Sequence, residues 1–443
     1  MDIVIIGGDA AGMSAAMQIV RNSEGHTITV FEHGEVTSYG QCGLPYVISG
    51  DVESTDDLIA RSPETFREKY GIDVRTKHEV TQVDCDHKRV HGKNLETGEE
   101  FEQKYDRLLI ATGAAPILPP WEGRDLEGIF TLKTIPDIEA IMEDLTEDVK
   151  HVTIIGGGYI GLEVAENLIK IGKKVKMIDR GDRIAKIFDP EMSDKIQKEA
   201  ERQGIELCLH ESVEGFKGTS RVEAVVTDQA EHQTDAVLAA VGVTPNTFFL
   251  NGTGIAKGVA DAIQVNAFME TSILDIYAAG DCATQFHRIK QRADHIPLGT
   301  HANKQGRVAG LNIVNKRKVF NGIVGTSIIK FFDLTLARTG LSEKEAKNEY
   351  IPYKTITIDS THAAGYYSKE DPMTLKLLYH EKSEKLLGAQ IIGHRGVDKR
   401  IDVLATALYN EMDMEQLEEL DLSYSPPYNS VWDPIQQAAR RVK

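Results

Sequence analysis

The sequence predicts an α/β chain with two similar Rossmann-like units, each on a parallel sheet, followed by a smaller α+β domain. Three observations carry this. Two stretches repeat the order apolar strand, glycine turn, helix, strand; a third apolar strand ends in Gly-Asp; and beyond about Asn321 no further glycine turn of this kind occurs. Continuous apolar strands of this type are buried on both faces of a parallel sheet.

The first unit runs from Ile3-Val4-Ile5-Ile6 into Gly7-Gly8-Asp9-Ala10-Ala11-Gly12, a helical pattern through Arg21, and a strand from Thr27 to Phe31. Gly7 and Gly12 take the outer positions of a dinucleotide-binding turn, and Glu32, 20 positions after Gly12, ends the next strand where a carboxylate meets a ribose hydroxyl. Asp9 stands where the middle glycine belongs. Beside a pyrophosphate it is unfavourable unless its side chain points away.

The second unit is complete. Gly156, Gly158 and Gly161 form G-x-G-x-x-G between the strand Val152 to Ile155 and a helical stretch to Ile171, and Asp179 follows Gly161 by 18 positions. The first glycine allows the tight turn, the second lets backbone approach a pyrophosphate at the helix N-terminus, and the third lets helix and strand pack closely. A lone glycine pattern also occurs in turns that bind nothing; strand, helix and acid in this order make it specific. Asp179 favours NADH, while Arg180 can meet a 2′-phosphate and leaves NADPH open. Two such units in one chain point to two dinucleotides.

The third strand, Ser272 to Ala279, ends in Gly280-Asp281. Asp281 can accept hydrogen bonds from ligand hydroxyls, or cap a helix beginning near Cys282. Ala111-Thr112-Gly113, after Leu108 to Ile110, reads as a crossing between units. In the last region strands are expected at Thr355 to Ile358, Met373 to Tyr379 and Leu387 to Ile392, and helices at Val397 to Asn410 and Met414 to Leu420.

Four cysteines, Cys42, Cys85, Cys208 and Cys282, are scattered without Cys-x-x-Cys spacing, so no zinc or other metal site is expected. Cys42 lies in Ser38-Tyr39-Gly40-Gln41-Cys42-Gly43-Leu44-Pro45-Tyr46. Pro45 suits the first turn of a helix, whose N-terminus would favour a thiolate at Cys42. An average cysteine is a small buried hydrophobe. The glycine and proline setting, beside two dinucleotide units, argues for redox chemistry instead. With no second cysteine nearby, Cys42 must cycle through a mixed disulfide with a small thiol or through a sulfenic acid. The other three cysteines are read as structural.

With 50 Lys and Arg against 68 Asp and Glu, the net charge is −18. Such a body disfavours non-specific nucleic-acid binding and repels anions at long range, so any phosphate site must be built locally. No apolar run approaches a membrane span and no leader is visible; with the cysteine usage, a cytoplasmic location is expected.

These segments together resemble the pyridine nucleotide-disulfide reductase superfamily, in its single-cysteine branch of coenzyme A disulfide reductases, NADH oxidases and NADH peroxidases. The resemblance spans the whole chain. Besides the segments above, it rests on Val241-Gly242-Val243-Thr244-Pro245-Asn246 and Ala302-Asn303-Lys304-Gln305-Gly306-Arg307. It implies an FAD-binding domain in two pieces (1–120 and 246–320), an NAD(P)-binding domain between them (121–245) and a C-terminal dimerisation domain (321–443). It implies FAD contacts at Gly7, Gly12, Glu32, Thr112, Gly113 and Asp281, and places Glu163 near nicotinamide and flavin. Oxidases and peroxidases of the branch carry a histidine inside the first glycine turn, where this chain has Ala10, so a sulfenic acid here lacks its imidazole partner. The Ser38 to Tyr46 segment is similar to that of coenzyme A disulfide reductases, with Gln41 in place of their asparagine. The implied activity is NAD(P)H-dependent reduction of coenzyme A disulfide at Cys42. Tyr366 and Tyr424 are implied to reach the active site of the partner subunit in a homodimer. Candidate substrate contacts are Gln18, Arg21, Ser38 and Gln41. A basic cluster at Arg61, Arg67 and Lys69 is weaker, because Glu64 and Glu68 interleave with it as on a solvated helix face. The rival readings are an NADH oxidase, a reductase of another small disulfide or persulfide, and an electron-transfer partner protein.

Overall fold

The computed structural model describes residues 1–368 and 370–442; Lys369 and Lys443, both in the expected last domain, lie outside the described residues. Two five-stranded sheets are parallel throughout. The first has the order Ile276–Ala278, Arg107–Ile110, Asp2–Ile6, Thr27–Phe31, Asp73–Arg75. The second has Glu206–Leu209, Lys174–Asp179, His151–Ile155, Ala236–Ala239, Ile129–Phe130. In each central strand one exposed residue is followed by four buried ones, the pattern of a strand covered on both faces. Helices follow the glycine turns at Ala10–Asn22 and Tyr159–Lys170.

The two units join where Ala114–Pro116 pairs with Val243–Pro245. There Thr112 Oγ1 donates to Asn246 O at 2.8 Å and Asn246 Nδ2 returns a bond to Thr112 O at 2.9 Å. The helix Gly299–Ile313 packs on the first glycine-turn helix at backbone contact: a side chain at Gly306 would meet Ala11 O at 2.2 Å, and one at Gly310 would meet Ala15 O at 2.4 Å. The expectation of a helix at Cys282 is corrected. Asp281 and Cys282 form a turn, Ala283 pairs with Ile263 and the strand Gln285–His287 follows, so Asp281 caps no helix and its side chain faces Lys133 instead.

The C-terminal region is an antiparallel sheet, Ser327–Phe331, Leu334–Gly340, Leu386–Gly393, Pro372–His380, Tyr353–Thr361, carrying the helices Val397–Tyr409, Met414–Glu418 and Pro434–Ala439. Sequence pattern missed the first two strands. Arg338 interrupts the apolar run of the second, yet its guanidinium is satisfied by Ile187 O, Gly340 O and Glu345. No helix among the described residues is long and apolar enough to cross a membrane.

Candidate active site

Both glycine turns open onto one cavity of about 2220 Å³, bordered by Gly7, Glu32, Cys42, Thr112, Gly113, Gly158, Glu163 and Asp281 among others. The turns themselves are built alike. Gly7 has φ 104° and Gly156 φ 105°, values that side-chain-bearing residues avoid. A side chain at Gly12 would meet Gly7 O at 1.9 Å and one at Gly161 would meet Gly156 O at 2.2 Å, whereas nothing stands within 4 Å of a side chain at Gly158. That open face is where a pyrophosphate can approach.

The acids of the two units also correspond. Glu32 accepts from Gly8 N at 2.6 Å and Gly34 N at 2.7 Å. Asp179 accepts from Gly157 N at 3.1 Å and Gly181 N at 2.8 Å, and pairs with Lys186. Each carboxylate thus ties its strand end to its glycine turn and keeps lone pairs for ribose hydroxyls. Lys186 was not foreseen; seven positions separate it from Asp179 with no helical register to relate them. Arg180 is exposed and, like Asp179, does not border the cavity.

Asp9 borders the cavity. Its carboxylate accepts from Tyr39 N at 3.1 Å and so ties the first glycine turn to the cysteine loop. Burial pushes its pKa up to about 6. Ser38 holds φ 54° in the same loop, and Gln41 reaches the Tyr39 hydroxyl at 3.4 Å.

Cys42 sits in the short turn Gln41–Gly43, exposed to the cavity, immediately before the helix Leu44–Ser49 with Pro45 in its first turn. The expected thiolate bias is corrected. Burial of the thiol and the charge of Glu163 push its pKa up; Asp281 and Asp9 add to this, and Lys133 opposes them. Burial, the largest cause, and the nearby carboxylates work against the helix N-terminus. Glu163 accepts from the Tyr46 hydroxyl at 3.1 Å, and burial raises its pKa to about 7. Lys133 Nζ bonds Asp281 Oδ2 at 3.0 Å. Lys133 and Tyr46 escaped sequence reasoning. The first lies in an unremarkable Leu-Lys-Thr run; the second, four positions after Cys42, carried a signal that helical spacing could have revealed.

Gln18 and Arg21 do not border the cavity, and Arg21 is exposed. In the basic cluster Arg67 is engaged by Glu64 and Val74 O, as a solvated helix face would have it. Tyr366 and Tyr424 come together, hydroxyl to hydroxyl at 2.6 Å, on an exposed face outside the Cys42 cavity of their own chain. Cys208, Glu211 and His232 also converge, but both ring nitrogens of His232 are already engaged, by Lys176 and by Glu211.

Residues 1–306 match the family model of pyridine nucleotide-disulphide oxidoreductases and residues 326–434 that family's dimerisation domain. The chain belongs to this family. It is a flavoprotein oxidoreductase that uses FAD together with NADH or NADPH. It is 40% identical to a CoA-dependent NAD(P)H sulfur oxidoreductase of Pyrococcus abyssi, covering 100% of this chain and 98% of that protein. It is 33% identical to a coenzyme A disulfide reductase of Staphylococcus aureus, over 100% of this chain and 99% of that one. The crystal structure of reduced Bacillus anthracis CoADR-RHD superposes with a TM-score of 0.96 at 35% identity, covering 99% of this chain and 79% of the other.

Proposed function

We propose that the protein reduces coenzyme A disulfide to two coenzyme A thiols with electrons from NAD(P)H, through a mixed disulfide on Cys42. The observation that carries this reading is the solitary thiol. Cys42 borders the cavity shared by both glycine turns, while the free cysteines Cys85, Cys208 and Cys282 do not. A thiol without a resolving neighbour takes its second sulfur from the substrate.

For FAD the chain would provide Gly7, Gly12, Glu32, Thr112, Gly113 and Asp281; for NAD(P)H it would provide Gly156, Gly158, Gly161, Asp179 and Arg180, with Glu163 at their junction. FAD, when bound, supplies the two-electron path from NAD(P)H to sulfur. The Cys42 thiolate attacks one sulfur of the substrate: the Sγ–S bond forms, the substrate S–S bond breaks, and the departing coenzyme A thiolate takes a proton. Tyr366 or Tyr424 of a second copy would supply that proton, since the pair lies outside its own chain's cavity; the protein then acts as a homodimer. Two electrons and a proton release the second coenzyme A thiol and restore Cys42. The sum is NAD(P)H, a proton and one disulfide giving NAD(P)⁺ and two thiols. Lys133 stabilises the thiolate, and protonation of Glu163 near pH 7 removes the largest charge against it. Gln41 borders the cavity beside Cys42, Ser38 lies in the same loop outside the cavity lining, and Arg21 would offer an exposed cation to the substrate phosphates.

A second reading, reduction of a coenzyme A persulfide or polysulfide, has specific support. Relatives at 39–40% identity over the full chain carry the names CoA-dependent sulfur oxidoreductase and coenzyme A polysulfide/persulfide reductase. Anaerobic NAD(P)H oxidation decides between them. Two thiols released per NAD(P)H with coenzyme A disulfide supports the first reading. Turnover confined to coenzyme A persulfide, with release of sulfide, replaces it with the second.

A further inference from the structure

The two tyrosines that the proposed chemistry uses sit on separate exposed loops, and something must hold those loops in register. Arg400 bonds to both. It lies on the helix Val397–Tyr409 and is 1% exposed, a rare state for a guanidinium. Its Nη2 donates to His362 O at 3.3 Å, in the loop that leads to Tyr366, and to Asn429 Oδ1 at 3.0 Å, in the loop that follows Tyr424. Its Nε donates to both oxygens of Asp433, at 3.2 and 3.0 Å. Its Nη1 donates to Gly396 O at 2.9 Å and lies 3.2 Å from His362 Nδ1. Burial and the Arg400 charge hold the His362 imidazole below its ordinary pKa, so Nδ1 is free to accept.

The network continues into both loops. Asn429 Nδ2 donates to Asp433 Oδ2 at 2.7 Å and to Ser423 O at 3.1 Å, one residue before Tyr424. Ala364 N donates to Pro426 O at 3.0 Å, linking the loops directly. A buried guanidinium costs desolvation energy that packing alone does not return, and an apolar residue would hold the helix to its sheet as well. What Arg400 supplies that an apolar residue could not is a set of directional bonds to both loops, beside the one backbone bond from Ala364 N to Pro426 O and the tyrosine pair itself. A shift of about 1 Å at a reacting group is enough to cost about 10²-fold in rate.

We propose that Arg400 is a positioning residue: with Asp433 and Asn429 it fixes the loops carrying Tyr366 and Tyr424 so that the two hydroxyls meet and face the partner's Cys42 site. The tyrosines' part in catalysis rests on the function proposed above; the geometric part of the inference does not.

The test uses the FAD-loaded dimer with Arg400→Met, Arg400→Lys and Asn429→Ala, each also in a Tyr366→Phe/Tyr424→Phe background. Fluorotyrosine labelling, with resonances assigned by the Phe replacements, reads the hydroxyl pair without any substrate. The proposal expects Tyr366 and Tyr424 to shift in Arg400→Met and Asn429→Ala and to return toward the wild-type positions in Arg400→Lys. Unshifted resonances overturn it whatever the substrate proves to be. In rapid mixing, flavin reduction by NAD(P)H is expected to stay unchanged while reoxidation by coenzyme A disulfide falls at least tenfold in Arg400→Met, with no further fall in the double-Phe background. A further fall there, or equal slowing of both half-reactions, shows that Arg400 acts elsewhere and overturns the proposal. Asn429→Ala keeps the test decisive if Arg400→Met fails to fold. Shifted resonances in an enzyme that ignores coenzyme A disulfide sink the substrate reading and leave the positioning role standing.

Discussion

At the scale of single residues, the site is a contest over the charge on Cys42. Glu163, Asp281 and Asp9 oppose a thiolate there and Lys133 favours it. Glu163→Gln is therefore expected to lower the thiol pKa and Lys133→Met to raise it, both read by the pH dependence of Cys42 alkylation; an unmoved profile in either variant removes these charges from the account. Glu163 has its own pH signature. Its folded pKa stands near 7 against an ordinary value of 4.5, and that of Asp9 near 6 against 3.8. Both are raised, so the stability they contribute is fully present below the unfolded values and is lost as pH rises through the folded ones. In flavin-free protein, Glu163→Gln should gain on the wild type between about pH 5 and pH 8, by up to about 3 kcal/mol, as measured by denaturant unfolding at each pH. A constant difference would contradict the burial that causes the shift. Residue by residue, Glu32, Asp179 and Asp281 were visible in the sequence because each ends or directly follows an apolar strand, Cys42 because of its glycine and proline setting, and Glu163 only through the family resemblance. Lys133 and Lys186 stayed hidden because chain folding, rather than local spacing, brings them to Asp281 and Asp179, whereas Tyr46 stood at a helical spacing from Cys42 that went unread. The thiol's raised pKa was hidden for the same reason, since the carboxylates around it come from three separate segments.

At the scale of elements, the glycine turns are the parts whose form and use are most tightly joined. Any side chain at Gly156 would stand 2.5 Å from Ala240 O in a backbone conformation that favours glycine. Gly156→Ala should leave FAD content intact and raise the KM for NAD(P)H at least tenfold, equivalent to about 1.4 kcal/mol; loss of flavin instead would mean that the two units are not separable. The parallel strands beside the glycine turns were legible because burial on both faces leaves an unbroken apolar run, whereas Asp73–Arg75, Glu206–Leu209, Ala236–Ala239 and Ile129–Phe130 went unread. The strand Leu334–Gly340 was not legible, because Arg338 interrupts its apolar run and is satisfied by Ile187 O, far along the chain, and by the nearby Gly340 O and Glu345. Asp281 makes the same point: Gly-Asp after a strand announces a carboxylate at the strand end, and of its two readings the helix cap is removed by the turn that follows and by the contact with Lys133.

At the scale of the whole molecule, neither half of the proposed chemistry is complete in one chain, because Cys42 borders the cavity and the Tyr366–Tyr424 pair does not. Mixing an inactive Cys42→Ser dimer with an inactive Tyr366→Phe/Tyr424→Phe dimer should restore roughly a quarter of wild-type turnover, since half the dimers are mixed and each then has one intact site. No recovery would place the tyrosines in their own chain's chemistry or outside it. The central claim, a mixed disulfide on a solitary thiol, is tested most directly by mass spectrometry of the native protein under non-reducing conditions after anaerobic exposure to coenzyme A disulfide, with a digest to locate the adduct. The account predicts coenzyme A on the Cys42 peptide, released by NAD(P)H and absent from Cys85, Cys208 and Cys282. An unmodified or oxygen-bearing Cys42, in protein that oxidises NADH with oxygen and ignores coenzyme A disulfide, would contradict it.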